Sequence, residues 1–142
     1  MASSKERSPG DVKRAGHQQS DDPSARLQEV LRLNRASGHG GVYAVCSAHP
    51  QVIEAAIEQV LEDGSVLHVE STSSQVNQFG GYTGQTPLSF SDWIRGVAQR
   101  AGLPANRVLL GGDHLGPFPW RSENADSALE KGSALVRACV LS

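Results

Sequence analysis

Three times along the chain a short apolar run gives way to a longer stretch with helical spacing. Residues 42–47 precede Val52, Ile53, Ala56, Ile57, Val60 and Leu61, and Gly64 ends that stretch. Residues 66–70 lead through a polar loop, 71–86, to Phe90, Trp93, Ile94, Val97 and Ala98, stopped by Gly102. Residues 107–111 lead to Ala125, Ala128, Leu129, Leu135, Val136 and Cys139. Each run has strand length, and the first is apolar on both faces, as a buried parallel strand requires. Strand followed by helix, repeated, predicts an α/β fold with a parallel sheet and right-handed crossovers. A doubly wound sheet and part of an eight-stranded barrel both satisfy this pattern. The first strand-helix turn lacks the Gly-x-Gly-x-x-Gly fingerprint, and the chain has no Walker A loop. In either architecture the chemistry collects at the C-terminal ends of the strands.

The punctuation agrees with this reading. Ser24 is placed to cap a leading helix carrying Leu27, Val30 and Leu31, broken by the glycines of 38–41. Pro50 suits a first helical turn, Thr86-Pro87 or Ser89 opens the third helix, and Asn124 opens the last. Residues 1–23 differ, being polar and nearly free of large apolar groups. Such a segment buries too little surface to offset its ordering entropy, so it is expected to be a disordered tail before a folded part at 24–142. It has no apolar core of a secretory signal, and its acids do not suit a transit peptide. Net charge is −2, with no basic patch for nucleic acid and no run of about twenty apolar residues for a membrane span. A cytoplasmic protein follows, with Cys46 and Cys139 expected as reduced, buried thiols.

All three predicted strands leave polar residues at their C-terminal ends: Ser47 and His49, then Glu70, then Asp113 and His114. His49, before Pro50, is expected to cap a helix or pack a loop. Ser47, Glu70, Asp113 and His114 are expected to face a common cavity. A carboxylate beside an imidazole at a strand exit can hold a divalent metal and move a proton. Glu70 needs a partner if it is buried. The loop 74–84 is rich in amides and glycines, with Asn77 and Gln78 as candidate ligand contacts. Phe79 and Tyr82 either cover a site or meet a partner; the alternative is an ordered surface loop that hydrogen-bonds itself.

These stretches together resemble one family. They are Val45-Cys46-Ser47-Ala48-His49-Pro50, the run from Glu70 through Gln75-Val76-Asn77-Gln78-Phe79-Gly80-Gly81-Tyr82-Thr83-Gly84, and Leu110-Gly111-Gly112-Asp113-His114-Leu115-Gly116-Pro117. The family is GatZ/KbaZ, the non-catalytic subunit of class II D-tagatose-1,6-bisphosphate aldolase. Trp120, Glu123-Asn124-Ala125-Asp126 and Glu130-Lys131 resemble it too, so the likeness spans 24–138. The resemblance implies a TIM (β/α)8 barrel that supports a separate GatY/KbaY-like catalytic subunit, in the breakdown of galactitol or N-acetylgalactosamine through tagatose phosphates. The catalytic aldolases are related barrels with a three-histidine zinc site. By that analogy Asp113 is the acid/base, His114 is one zinc ligand, and a sugar phosphate is the ligand class.

Two departures shape the expectation. The chain ends where the family's third barrel helix continues toward a fourth strand. No other histidine stands at a strand end to complete a zinc site, since His17 is in the tail, His39 precedes the first strand and His68 lies within the second. Three units cannot close a barrel, so the isolated chain is expected to be unstable or to associate with itself. The leading expectation is an accessory subunit. The alternative is a metal-dependent aldolase or sugar-phosphate epimerase using Asp113, His114 and Glu70.

Overall fold

The computed structural model describes residues 22–142. Residues 1–21, most of the expected tail, lie outside the described residues. Helix α1 (Pro23–Ser37) opens the fold, followed by β1 (Val45–Cys46), α2 (Pro50–Asp63), β2 (Leu67–Thr72), α3 (Pro87–Arg100), β3 (Val108–Asp113) and α4 (Ala125–Val140). Single 3-10 turns at Ala105–Arg107 and Phe118–Trp120 flank β3. The strands form a parallel sheet in the order β1-β2-β3, as the sequence pattern predicts.

The alternation along β2 explains where the core sits. Leu67, Val69 and Ser71 are buried against the helices, while His68, Glu70 and Thr72 point to the other face. On the covered side, Leu67, Val69 and Val108 pack with Ile53, Ile57 and Val60 of α2 and with Phe90, Ile94 and Ala98 of α3. Arg107 ties this layer together at the N-terminal ends of the strands. Its guanidinium donates to the Val60 carbonyl and, over 2.8 Å, to the Ser65 carbonyl.

The helix ends follow local rules with one correction. Asp22, not Ser24, caps α1: its Oδ1 accepts the Ser24 N–H at 2.9 Å and Pro23 occupies the first turn. Asp22 and Pro23 thus belong to the helix start, although the composition groups them with the tail. Thr86 and Ser89 form a reciprocal capping box on α3. Gly64 ends α2 in the left-handed conformation, and Asn124 caps α4 through Ser127.

Several expectations change. The first strand is two residues, not six, because among the described residues β1 has only β2 beside it and pairs through Val45–Val69 and Cys46–Glu70. The second and third strands run two residues further than predicted, so Asp113 is the last residue of β3 rather than a residue beyond it. Cys46 is exposed, because it lies on the sheet face that no described helix covers; Cys139 is partly buried. Val52, Leu61, Leu129 and Val136, members of the helical apolar pattern, are exposed. The face of α4 that is buried runs through Ala128, Gly132 and Leu135 instead. Between β3 and the helices α3 and α4 lies an open groove of about 470 Å³, lined by residues such as Phe90, Leu110, Leu115 and Val136.

Candidate functional site

The uncovered sheet face carries a row of polar side chains set by register. Cys46, Glu70 and Gly111 are lateral neighbours in one row, and Thr72 and Asp113 are neighbours in the next. Parallel register places same-row residues on one face, so β1, β2 and β3 each deliver a functional group to the same surface.

Glu70 stands at the centre. Its Oε1 lies 3.5 Å from His68 Nε2, and both side chains are about three-quarters buried. Gly111 makes that arrangement possible. A Cβ there would come within 2.9 Å of His68 Nε2 and 3.3 Å of Glu70 Cγ. Beside Glu70, the Cys46 thiol reaches Asp113 Oδ2 at 3.5 Å and Gln75 Oε1 at 4.0 Å. Partial desolvation first, then the hydrogen bond to Asp113 and the charges of Asp113 and Glu70, push the thiol of Cys46, a largely exposed residue, above its ordinary value. It is therefore held as a protonated donor rather than a thiolate nucleophile at neutral pH.

Asp113 and His114 stay in contact, while most of the imidazole faces solvent. His114 adopts a left-handed φ of 51°, unusual for a residue with a side chain. The turn sends its imidazole outward, 85% exposed, with Nε2 3.4 Å from Asp113 Oδ1. The His114 carbonyl accepts the Ser73 hydroxyl at 3.2 Å, which fixes the turn against the start of the preceding loop.

The other sequence candidates serve backbone. Ser47 Oγ accepts the His49 N–H at 3.1 Å at the entrance to α2. His49 occupies the cap position of that helix with no side-chain cap bond. Asn77 is buried; its amide donates to the Ser73 carbonyl at 2.9 Å and its Oδ1 accepts from Phe79 and Gly81 N–H groups. Gln78 donates to the Lys131 carbonyl at 2.9 Å, stitching the loop to α4. So the long loop hydrogen-bonds itself, and Phe79 and Tyr82 project from it.

Besides Cys46, expected as a buried thiol, Gln75 and His68 on this face escaped sequence reasoning. Gln75 closes the end of β2, its Oε1 accepting the Thr72 N–H at 2.8 Å while facing Cys46. His68 looked like a strand-interior residue, yet strand alternation from Glu70 was a signal that both share a face.

Zinc chemistry can be tested against these positions. A catalytic zinc site takes about three protein ligands. Among the described residues, no three His, Cys, Asp or Glu side chains converge on a point that would hold a metal ion. His114 points to solvent and His68 is engaged with Glu70. The described residues do not fit a zinc centre. What the row does offer is two carboxylates, a thiol, an imidazole and an amide oxygen, a surface suited to hydrogen bonding and proton exchange.

Comparison with known proteins extends this picture. A family model described as D-tagatose-1,6-bisphosphate aldolase subunit GatZ/KbaZ-like matches residues 27–142. The D-tagatose-1,6-bisphosphate aldolase subunit GatZ of Salmonella enteritidis PT4 is 48% identical over 114 residues, 80% of this chain and 27% of that protein. Its counterpart in Salmonella agona is 47% identical over 115 residues, 81% of this chain and 27% of that one. The crystal structure of a probable tagatose 6 phosphate kinase from Sinorhizobium meliloti 1021 superposes with a TM-score of 0.67 at 45% identity, over 69% of this chain and 25% of that one. The chain spans about a quarter of the length of the curated relatives it matches. With a match from residue 27 to residue 142, the chain belongs to the D-tagatose-1,6-bisphosphate aldolase subunit GatZ/KbaZ-like family.

Proposed function

We propose that this chain forms the first three β/α units of a TIM-barrel subunit that supports a separate catalytic class II tagatose-1,6-bisphosphate aldolase, of the GatY/KbaY kind. The observation that carries the reading is the family match over residues 27–142, in which the named relatives are aldolase subunits. Two features support it. The strands β1, β2 and β3 run parallel in sequential order, the arrangement of consecutive barrel strands, and the groove beside β3 leaves room for another. The likeness to the named subunits covers about four-fifths of this chain. The setting is cytoplasmic breakdown of galactitol or N-acetylgalactosamine. No described helix is long and apolar enough to cross a membrane.

Within this reading Glu70 and Asp113 are the groups that meet a sugar phosphate, with Ser47, Asn77 and Gln78 shaping the surrounding backbone. His114, at the rim, contacts ligand or partner from outside. Co-purification tests the role: a tagged chain expressed with the catalytic subunit is expected to retain it through size-exclusion chromatography, and clean separation of the two would remove the proposal.

The enzyme reading rests on a different observation, the Cys46–Asp113 hydrogen bond beside Glu70 on one surface. Here Asp113 exchanges a proton at a carbon or hydroxyl of a sugar phosphate, as an aldolase or epimerase requires. Asp113→Asn separates the two readings. Loss of sugar-phosphate turnover with subunit binding intact favours the enzyme. A kinase reading has no support at the first strand-helix turn, where Ser47-Ala48-His49-Pro50 supplies no glycine cradle for phosphates.

A further inference from the structure

One edge of the sheet lies beside an apolar wall. Among the described residues β3 pairs only with β2. Register sets its two faces. Val108, Leu110 and Gly112 align with Leu67, Val69 and Ser71, on the helix side. Leu109, Gly111 and Asp113 lie on the polar side. Along the helix side runs the groove of about 470 Å³, with Phe90 of α3 and Val136 and Cys139 of α4 in its walls. Leu115 folds back over Gly112 and fills the space that a side chain at 112 would need. Backbone groups along a strand edge, next to an apolar trough, suit a second strand that is apolar at every other residue.

The sources of such a strand differ in what they offer. The chain matches about a quarter of its curated relatives, and over most of its length its backbone superposes on a solved one. Parallel strands in sequential order, each followed by a helix, put the next strand of the series beside β3. A closed barrel, the form of the related catalytic aldolases, has no free edge to pair. A second copy related by a twofold axis would pair the two β3 edges antiparallel, against the parallel sense of this sheet. We propose that the edge of β3 and its groove capture, as a separate polypeptide, the portion of a GatZ/KbaZ-like subunit that follows the part matched here. Contact is through one parallel strand whose alternate apolar side chains enter between Leu110, Phe90 and Val136. The intervening side chains stand on the polar side, beside Gly111 and Asp113. This inference rests on the barrel part of the reading above and adds that the two portions recognise each other with no peptide bond between them.

The test mixes the full chain with a polypeptide that runs from the end of the matched stretch of the Salmonella enteritidis PT4 relative to that protein's C-terminus. Size-exclusion chromatography with light scattering is expected to show a complex holding one copy of each. Within it, hydrogen exchange at the β3 amides is expected to slow about tenfold or more. Val136→Lys, at an exposed position in the groove wall, is expected to weaken association about tenfold or more by placing a charge in the trough. The exchange pattern of the unsubstituted complex decides the matter if that variant misfolds by circular dichroism. Leu88→Lys is the control: Leu88 is exposed on α3, which packs between α2 and α4, and its affinity is expected to match the unsubstituted chain. No complex, a complex in which the β3 amides exchange as before, or full affinity in a folded Val136→Lys variant overturns the inference. Self-association that shuts out the added portion also overturns it. Any of these results, with the chain still prolonging the catalytic subunit's activity, overturns this inference alone. The expected complex, with no effect on the catalytic subunit, removes the accessory role and leaves this inference standing.

Discussion

The Cys46 thiol lies 3.5 Å from Asp113 Oδ2, so the first strand is bonded to the third across the end of the second. Neither residue alone marks a site. Register brings them together: Cys46 pairs with Glu70, Glu70 with Gly111, and Asp113 stands one row further along β3. The contact makes the thiol a reporter for the polar row.

Cys46 is expected to react slowly with a thiol reagent at pH 7, with a pH profile displaced above that of an ordinary cysteine. Partial desolvation and then Asp113 raise its pKa. Asp113→Asn removes a negative neighbour, so the profile is expected to move to lower pH, as thiol alkylation rates will show. The sign for stability follows from the same shift. The folded chain holds this proton more tightly than the unfolded one, so the contribution is complete below the ordinary thiol pKa and is lost as pH rises through the raised value. An unmoved profile in the variant would place Asp113 away from the thiol in solution.

Gly81→Ala is expected to disrupt the long loop. Gly81 has φ +54°, and a Cβ there would lie 2.3 Å from the Gln75 carbonyl oxygen. Strain and displacement together should cost about 1–3 kcal/mol. The cleavage rate of the loop under limited proteolysis should rise with it. Asn77→Ala should act similarly, because it removes one buried donor and an acceptor shared by two N–H groups.

Acid should weaken the packing of α4 through Glu123. Hydrogen bonds from Lys131 and then Ser127 hold its carboxyl below the usual value. A lowered folded pKa means stability present above the ordinary glutamate range and lost as pH falls through the folded value. The carboxyl lies at the surface, where solvent screens the pair, so the effect is small. An NMR titration of Glu123 is expected to show a midpoint below the ordinary glutamate value that returns toward it in Lys131→Ala.

The isolated chain is expected to associate or to unfold without a sharp monomeric transition. Among the described residues β1 and β3 each pair only with β2, and the row from Cys46 to Asp113 lies on a face no described helix covers. Sedimentation velocity and thermal unfolding check this; a monomer with a cooperative transition above about 50 °C, inside the usual mesophile range, would contradict it.

Most of the fold was legible because its signals are local. Helical spacing, Gly64, Pro50 and the Thr86-Pro87 cap mark elements that the structure places within a residue or two. The exposure of Cys46, Val52 and Leu129 was not legible, because apolar periodicity reports which face seeks cover, not whether a neighbour is present to provide it. The same limit affected the polar row. Glu70 and Asp113 were visible as strand-end carboxylates, but the involvement of His68, Cys46 and Gln75 depends on alternation and register between strands. His114 shows the reverse case. Adjacency to Asp113 pointed to the contact that Nε2 keeps with Oδ1, while a left-handed turn, invisible in the residue order, leaves most of its ring in solvent.

The most direct measurement of the accessory role is the half-life of class II tagatose-1,6-bisphosphate aldolase activity in the catalytic subunit, held at a fixed temperature with and without an equimolar amount of this chain. The account predicts slower decay with the chain present. Identical decay curves, at concentrations where an inert protein control also has no effect, would contradict it.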